Sequence, residues 1–134
     1  MFYDLLMTIS RVFDLNGISY SQHSRQVAYA SWQLAEALNL SDEDQVKVIK
    51  ASLVHDIGVS SSVVREQLVQ NFEIPGELAF EHEVKGSKML SGIECLQDVA
   101  PLVYFHHHCF DGSNPDGLGG QEIPLLGQNQ VRME

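Results

Sequence analysis

Positive charge is scarce in this sequence, where eight Lys and Arg face eighteen Asp and Glu, giving a formal net charge of −10. Because gripping a long nucleic-acid backbone needs clustered cations, this balance argues against a nucleic-acid partner of that kind. No apolar run reaches the roughly 18 residues that a membrane span needs. The start, Met1-Phe2-Tyr3-Asp4, lacks the basic region of a signal peptide. We therefore expect a cytoplasmic protein with no membrane partner.

Cysteine and proline are also few. Two cysteines, Cys95 and Cys109, are too few for a disulfide framework and lack the spacing of a zinc ribbon, so we expect reduced thiols. Four prolines and few alternating β-branched runs argue against a sheet protein. The 134 residues contain no linker-like or low-complexity segment, which predicts a single domain over residues 1–134.

Apolar residues recur three and four positions apart along most of the chain, which is the pattern of amphipathic helices. In the first segment this spacing predicts one apolar helix face made of Phe2, Leu5, Leu6, Ile9, Val12 and Phe13. Gly58 is interpreted as the stop of the third helix, and residues 71–79, with Pro75-Gly76, as a loop. We predict an all-α bundle of about six helices over residues 2–14, 21–38, 42–57, 63–70, 81–90 and 98–108.

Histidine carries the chemical information. His55-Asp56 ends an apolar helix, and three consecutive histidines, 106–108, follow another apolar stretch. An aspartate in such a place is costly to bury unless it is paired or bound to a cation. Imidazole nitrogen and carboxylate oxygen are ligands of divalent transition metals, and the two oxygens of Asp56 can bridge two ions. A bridged pair of ions activates water and clamps a phosphoryl group.

The neighbours of these residues receive simpler interpretations. Successive helical residues point about 100° apart, so three histidines in a row cannot all face one ion. We expect His108 to face solvent or to lie behind the ligands. Glu81 and Glu83, on either side of His82, are expected to be solvated acids of a first helical turn. Lys85 is expected on a solvated helix face.

The order of these motifs resembles the HD-GYP family, a branch of the HD-domain metal-dependent phosphohydrolases. The resemblance covers about residues 20–126. Its matching pieces are, in order, His23, the segment Leu53-Val54-His55-Asp56-Ile57-Gly58, the segment His82-Glu83-Val84-Lys85-Gly86, the pair His106-His107 with Asp111-Gly112, and Gly117-Leu118 with Ile123-Pro124-Leu125.

This resemblance implies an all-helical HD domain that hydrolyses the bacterial messenger cyclic di-GMP. It implies one or two divalent transition-metal ions. Iron or manganese is the favoured metal, and nickel or zinc is the alternative. Asp56 is the implied bridging and catalytic residue, and substrate-binding residues stay unassigned. The implied metal ligands are His23, His55, Asp56, His82, His106 and His107.

The sequence departs from the family pattern at several positions. Val59 replaces a lysine, His108 replaces a glutamate, and Ser113-Asn114-Pro115 shortens the Gly-Tyr-Pro signature. Ser19 stands where members with a third ion carry a glutamate, so no third ion is expected. After residue 126 the C-terminal part of the family domain is expected to be missing. That part of the family domain supplies one further aspartate ligand.

Three functions therefore stay open. The first is an HD-GYP phosphodiesterase acting on cyclic di-GMP. The second is a catalytically impaired HD-GYP-like domain that binds or regulates, and the third is a more general HD-type nucleotide phosphohydrolase.

We also expect a homodimer. The family helices that close the bundle are expected to be missing, and apolar surface left uncovered usually becomes an interface. The first helix, Phe2 to Phe13, and the tail, Ile123 to Leu126, are the expected contributors.

Overall fold

The computed structural model describes residues 1–15, 22–59 and 76–127, with side chains from Phe80 onward in the last range. These ranges contain helices and no strand, which confirms the predicted all-α fold. None of their helices is both long and apolar enough to cross a bilayer. The α-helices are α1 Phe2–Leu15, α2 His23–Ala37, α3 Asp42–Val54, α4 Gly76–Ser91 and α5 Ala100–Tyr104. A 3₁₀ turn at Glu94–Leu96 lies between α4 and α5, and another at Gly120–Glu122 follows α5.

Two helices end earlier than predicted, and both carry candidate ligands just beyond their ends. Helix α3 ends at Val54 rather than at residue 57, and α5 ends at Tyr104 rather than at residue 108. The chain continues in tight turns closed by bonds three residues apart, Ile57 N–H to Val54 O at 3.0 Å and His108 N–H to Phe105 O at 3.1 Å. The candidate ligands thus lie on turns, where their directions differ from those of a continuous helix.

The predicted loop over 71–79 is wrong from Gly76 onward, because α4 begins there. A glycine followed by an acid, Glu77, suits the first turn of a helix as well as it suits a loop. Residues 71–75 and the predicted helix over 63–70 lie outside the described residues.

The buried face of α1 differs from the apolar face that the sequence predicts. The stripe that faces the core steps by four residues and includes two polar side chains, namely Leu6, Ser10 and Asp14. Leu5 and Val12, which we assigned to the inner face, are 56% and 53% exposed. Asp14 explains the choice of face, because its Oδ1 accepts the Ser24 hydroxyl at 2.9 Å.

The hydrophobic core joins all five α-helices, with α2 packed on α3, α4 on α5, and α1 on both α2 and α3. Ser41 caps α3, since its hydroxyl accepts the Asp44 N–H at 3.2 Å. The buried core residues are Leu6, Ala28, Ala51, Leu53, Val54, Leu90, Leu96, Val99, Ala100, Leu102 and Val103.

Two glycines bring the turn after α3 against the middle of α4. A Cβ atom at Gly58 would lie 2.1 Å from the carbonyl oxygen of His82 and 2.5 Å from the backbone nitrogen of Gly86. Gly58 is therefore needed for close backbone approach, rather than as the helix stop that we predicted. This backbone contact brings Asp56, two residues before Gly58, close to His82, whose carbonyl oxygen is part of the contact.

We expect Gly58→Ala to destabilise the fold by at least about 1–3 kcal/mol, the usual cost of overpacking, because the clash is with backbone that cannot rotate away. Thermal or denaturant unfolding followed by circular dichroism measures the change. Gly92→Ala is the matched control, since the nearest atom to its added Cβ is the Met89 carbonyl oxygen at an ordinary 3.4 Å. Equal stability of the two variants would contradict the close-approach role of Gly58.

Candidate metal centre

Four separate stretches of the chain deliver histidine and aspartate side chains to one place. His23 is the first residue of α2, and His55 and Asp56 follow the last residue of α3. His82 lies within α4, and residues 106–107 follow the end of α5. Helix ends and turns release side chains in directions that a regular helix does not allow, so ligands from distant parts of the chain converge.

The first cluster contains His23, His55 and Asp56. The Nε2 atoms of the two histidines lie 3.3 Å apart. Asp56 Oδ2 lies 3.3 Å from His55 Nε2 and 3.7 Å from His23 Nε2. Three potential ligand atoms therefore face a common point.

The second cluster contains His82, His106 and His107. Nε2 of His82 lies 3.0 Å from Nε2 of His106 and 3.1 Å from Nε2 of His107. His82 and His106 are buried, and His107 is partly exposed. The second cluster thus offers three imidazole nitrogens with one side open to solvent.

Asp56 lies between the clusters, with a different oxygen turned toward each. Its Oδ2 faces His23 and His55, and its Oδ1 lies 3.7 Å from Nε2 of His82. Burial alone would raise the pKa of Asp56, but the His55 imidazole, with smaller effects of His82 and His23, holds the pKa well below its usual range. The carboxylate is therefore charged and placed to bridge two cations.

The donor set fits divalent metal ions. Nδ1 of His55 lies 2.7 Å from the Ser52 carbonyl oxygen, and Nδ1 of His106 lies 2.5 Å from the Val103 carbonyl oxygen. A carbonyl oxygen only accepts, so each Nδ1 carries a ring hydrogen and each ring turns its Nε2 toward a cluster. Nε2 atoms about 3 Å apart can share a hydrogen or bind one divalent ion together, and imidazole nitrogens beside a carboxylate form a donor set that suits transition metals.

All six predicted ligands are thus brought together, and their role as ligands stays a prediction. Val59, which replaces the family lysine, is half-buried and directly follows Gly58. In the shortened signature loop, Asn114 closes the turn, because its Nδ2 donates to Leu118 O at 2.7 Å. Ser19 and the residues after 127 lie outside the described residues.

Glu83 is not where the sequence predicts it, since it is 1% exposed rather than solvated. His108 is buried behind the candidate ligands, which is one of the two places expected for it. They contact each other, with His108 Nδ1 3.3 Å from Glu83 Oε1. Our expectation for Glu81 fits better, since it is exposed and pairs with Lys85 across one helical turn. The sequence signal for a buried Glu83 is His108, which stands where the family has a glutamate and so leaves a place for a carboxylate from elsewhere in the chain.

Sequence reasoning also missed Asp14. Its Oδ1 accepts from both the hydroxyl and the backbone N–H of Ser24, at 2.9 and 3.4 Å. The acceptor thus lies at the first turn of α2, whose N-cap residue Gln22 makes no side-chain cap. Asp14 therefore fixes the helix start from which His23 projects.

The fold and the centre together define an all-helical domain with a His-Asp dyad at a site able to hold metal. The sequence profile of the HD domain family matches residues 20–129, and the chain belongs to this family. The resemblance found in the sequence is thereby confirmed at the level of the HD domain.

Several curated proteins are similar to this chain at low identity. A 3'3'-cGAMP-specific phosphodiesterase 1 of Vibrio cholerae is 28% identical over 103 residues, 77% of this chain and 23% of that protein. A cyclic di-GMP phosphodiesterase of Thermotoga maritima is 27% identical over 130 residues, 93% of this chain and 35% of that protein. The cyclic di-GMP phosphodiesterase response regulator RpfG of Xanthomonas campestris is 28% identical over 135 residues, 91% of this chain and 34% of that protein. The chain thus spans about a quarter to a third of the length of these relatives.

We expect Asp56→Ala to lower the bound transition metal by about tenfold or more and to lower the melting temperature of metal-loaded protein, because the bridge between the clusters is lost. Elemental analysis and thermal unfolding measure both effects. Asp42→Ala is the control, because Asp42 is an exposed acid at the start of α3, the helix that Asp56 follows. Wild-type metal content in Asp56→Ala would show that the centre is wrongly assigned.

Proposed function

We propose that this chain is a metal-dependent phosphodiesterase domain of the HD-GYP type that hydrolyses a cyclic dinucleotide such as cyclic di-GMP. The observation that carries the proposal is the position of Asp56, whose two oxygens face two different histidine clusters. This arrangement supports a pair of divalent ions, with iron or manganese as the favoured metals. The relatives named as cyclic dinucleotide phosphodiesterases support the substrate class.

When bound, a pair of divalent ions polarises a phosphodiester and activates water at neutral pH. The chain's own residues hold and orient that pair. His55 and His106 are fixed by their backbone acceptors, so that their Nε2 atoms cannot rotate away from the centre. Asp56 sets the separation of the two clusters, and the open side at His107 leaves access for the substrate.

Charge also favours an anionic substrate at this centre. Five of the six proposed ligands are neutral imidazoles and one is a carboxylate, so most of the charge of two divalent ions is uncompensated. The rest of the chain is strongly acidic, with a net charge of −10. Attraction for a phosphodiester is therefore confined to the centre, which suits a small ligand better than a long nucleic acid.

The second candidate function is a domain that binds a cyclic dinucleotide, or another nucleotide, without cleaving it. Val59 favours this candidate, because an apolar side chain stands here at the position where the family carries a lysine. An apolar residue cannot donate a hydrogen bond or a charge to a phosphate. A more general HD-type nucleotide phosphohydrolase would use the same metal ligands with a different substrate.

The experiment that separates these candidates is an assay of manganese-loaded protein with cyclic di-GMP, 3'3'-cGAMP and simple nucleotides. We expect one phosphodiester bond of a cyclic dinucleotide to be hydrolysed, giving a linear dinucleotide that chromatography resolves. Chelation of metal and Asp56→Ala should each abolish the product. Tight binding of the intact cyclic dinucleotide would instead establish the binding domain, and cleavage of simple nucleotides alone the general phosphohydrolase.

We further propose that two copies of the chain associate through α1. The side chains Met1, Leu5, Thr8, Val12 and Leu15 are spaced alternately by four and three residues, as in the seam of a coiled coil. Its apolar members are exposed. With two helices antiparallel, Asp4 of one copy approaches Arg11 of the second copy, so the flanking charges are complementary. In the tail, Ile123 is buried within its own chain, which leaves Leu125 as the exposed contributor.

We expect light scattering at micromolar concentration to give twice the chain mass of 15.0 kDa. Leu5→Asp combined with Val12→Asp should shift the protein to monomer, because it places four carboxylates in the proposed seam. Met89→Asp is the control, since Met89 is an exposed apolar residue on α4. A monomeric wild type, or dissociation by Met89→Asp alone, would contradict the proposed interface.

A further inference from the structure

Glu83 occupies an unusual place for a carboxylate. It lies on α4 directly after His82 and is 1% exposed. Its Oε1 accepts the backbone N–H of His107 at 2.6 Å and lies 3.3 Å from Nδ1 of His108. A buried carboxylate is costly unless such charge-assisted bonds offset its lost hydration. Apolar packing therefore does not account for a glutamate at this position.

The backbone that Glu83 holds is a turn rather than a helix. Helix α5 ends at Tyr104, and the following His106 N–H reaches its backbone acceptor only at 3.5 Å. The short bond from the His107 N–H to Glu83 supports the same turn from outside. Because the His107 side chain projects from this turn, the carboxylate determines where its Nε2 lies relative to His82.

The contact continues from Glu83 to the loop after the ligands. Nε2 of His108 lies 3.1 Å from Oδ2 of Asp116, and the same oxygen accepts the Tyr104 hydroxyl at 2.6 Å. His108 is 1% exposed and packs between the two carboxylates. One buried imidazole thus joins α4 to the loop over residues 109–119.

We propose that Glu83 is a positioning residue for the cluster His82, His106 and His107, and that His108 and Asp116 extend this restraint to the 109–119 loop. The inference rests on the metal centre of the proposed function. Glu83 supplies a carboxylate from α4 at the point where this chain has His108 instead of the family's glutamate. A metal ligand held by its backbone has less freedom to lose when it binds an ion.

A purely structural role for Glu83, as a partner that keeps His108 folded inside, predicts a different outcome. It predicts that loss of the carboxylate weakens the whole domain, and with it both metal positions equally. A positioning role predicts that the ion held by the second cluster is weakened while the ion held by His23, His55 and Asp56 is retained.

The test is a titration of metal-free protein with Mn²⁺, with calorimetry and elemental analysis to obtain the number and affinity of bound ions. We expect Glu83→Ala to weaken one of two ions by about 10- to 100-fold, as loss of a ligand-orienting partner typically does. The other ion should keep its affinity. Glu83→Gln should lose less, because an amide oxygen still accepts the His107 N–H.

Glu81→Gln is the control, since Glu81 is exposed on the same helix and pairs with Lys85. It should bind both ions as the wild type does. Asp116→Ala removes the loop end of the contact and should weaken the same ion as Glu83→Ala, though less. If Glu83→Ala does not fold, Glu83→Gln and Asp116→Ala decide the question.

Two bound ions in the wild type with both unchanged in the Glu83 variants would overturn this inference alone. Equal weakening of both ions would overturn it in favour of the structural role. A wild type that binds no Mn²⁺ would overturn the proposed function and this inference together.

Discussion

The buried carboxylate of Asp56 sets the main requirement that the rest of the structure meets. A charged group in this place is tolerated only where positive charge or hydrogen-bond donors surround it. The turn after α3, the first residue of α2 and the middle of α4 together provide imidazoles on both sides of it. The glycine pair Gly58 and Gly86 makes this possible, because a larger residue at Gly58 would hold α4 away from the dyad.

The sequence predicted the helical class and the convergence of the candidate ligand side chains, because both depend on local patterns. Apolar spacing marks helices, and histidines placed at the ends of apolar segments mark a meeting point of helix ends. Helix limits were less predictable, because the turns after Val54 and Tyr104 form through tertiary contacts. The face of α1 was predicted only in part, since Phe2 and Leu6 pack in the core whereas Leu5 and Val12 are exposed. Asp14 is buried instead, through its bond to Ser24.

Glu83 and His108 show why a site is harder to predict than its ligands. Each residue alone resembles a solvated surface group, and only their contact across two elements makes burial acceptable. No spacing rule along the chain connects positions 25 residues apart. Histidine and aspartate ligands, by contrast, are recognisable individually, because few other roles place them beside apolar helix ends.

The central claim is that two divalent ions share Asp56, and anomalous scattering from crystals grown with Mn²⁺ tests it most directly. The account predicts two peaks on either side of the Asp56 carboxylate, one beside His23 and His55 and one beside His82, His106 and His107. Each should lie about 2.0–2.3 Å from its nitrogen and oxygen ligands. No peak at this place, or a single peak that Asp56 does not contact, would contradict the account.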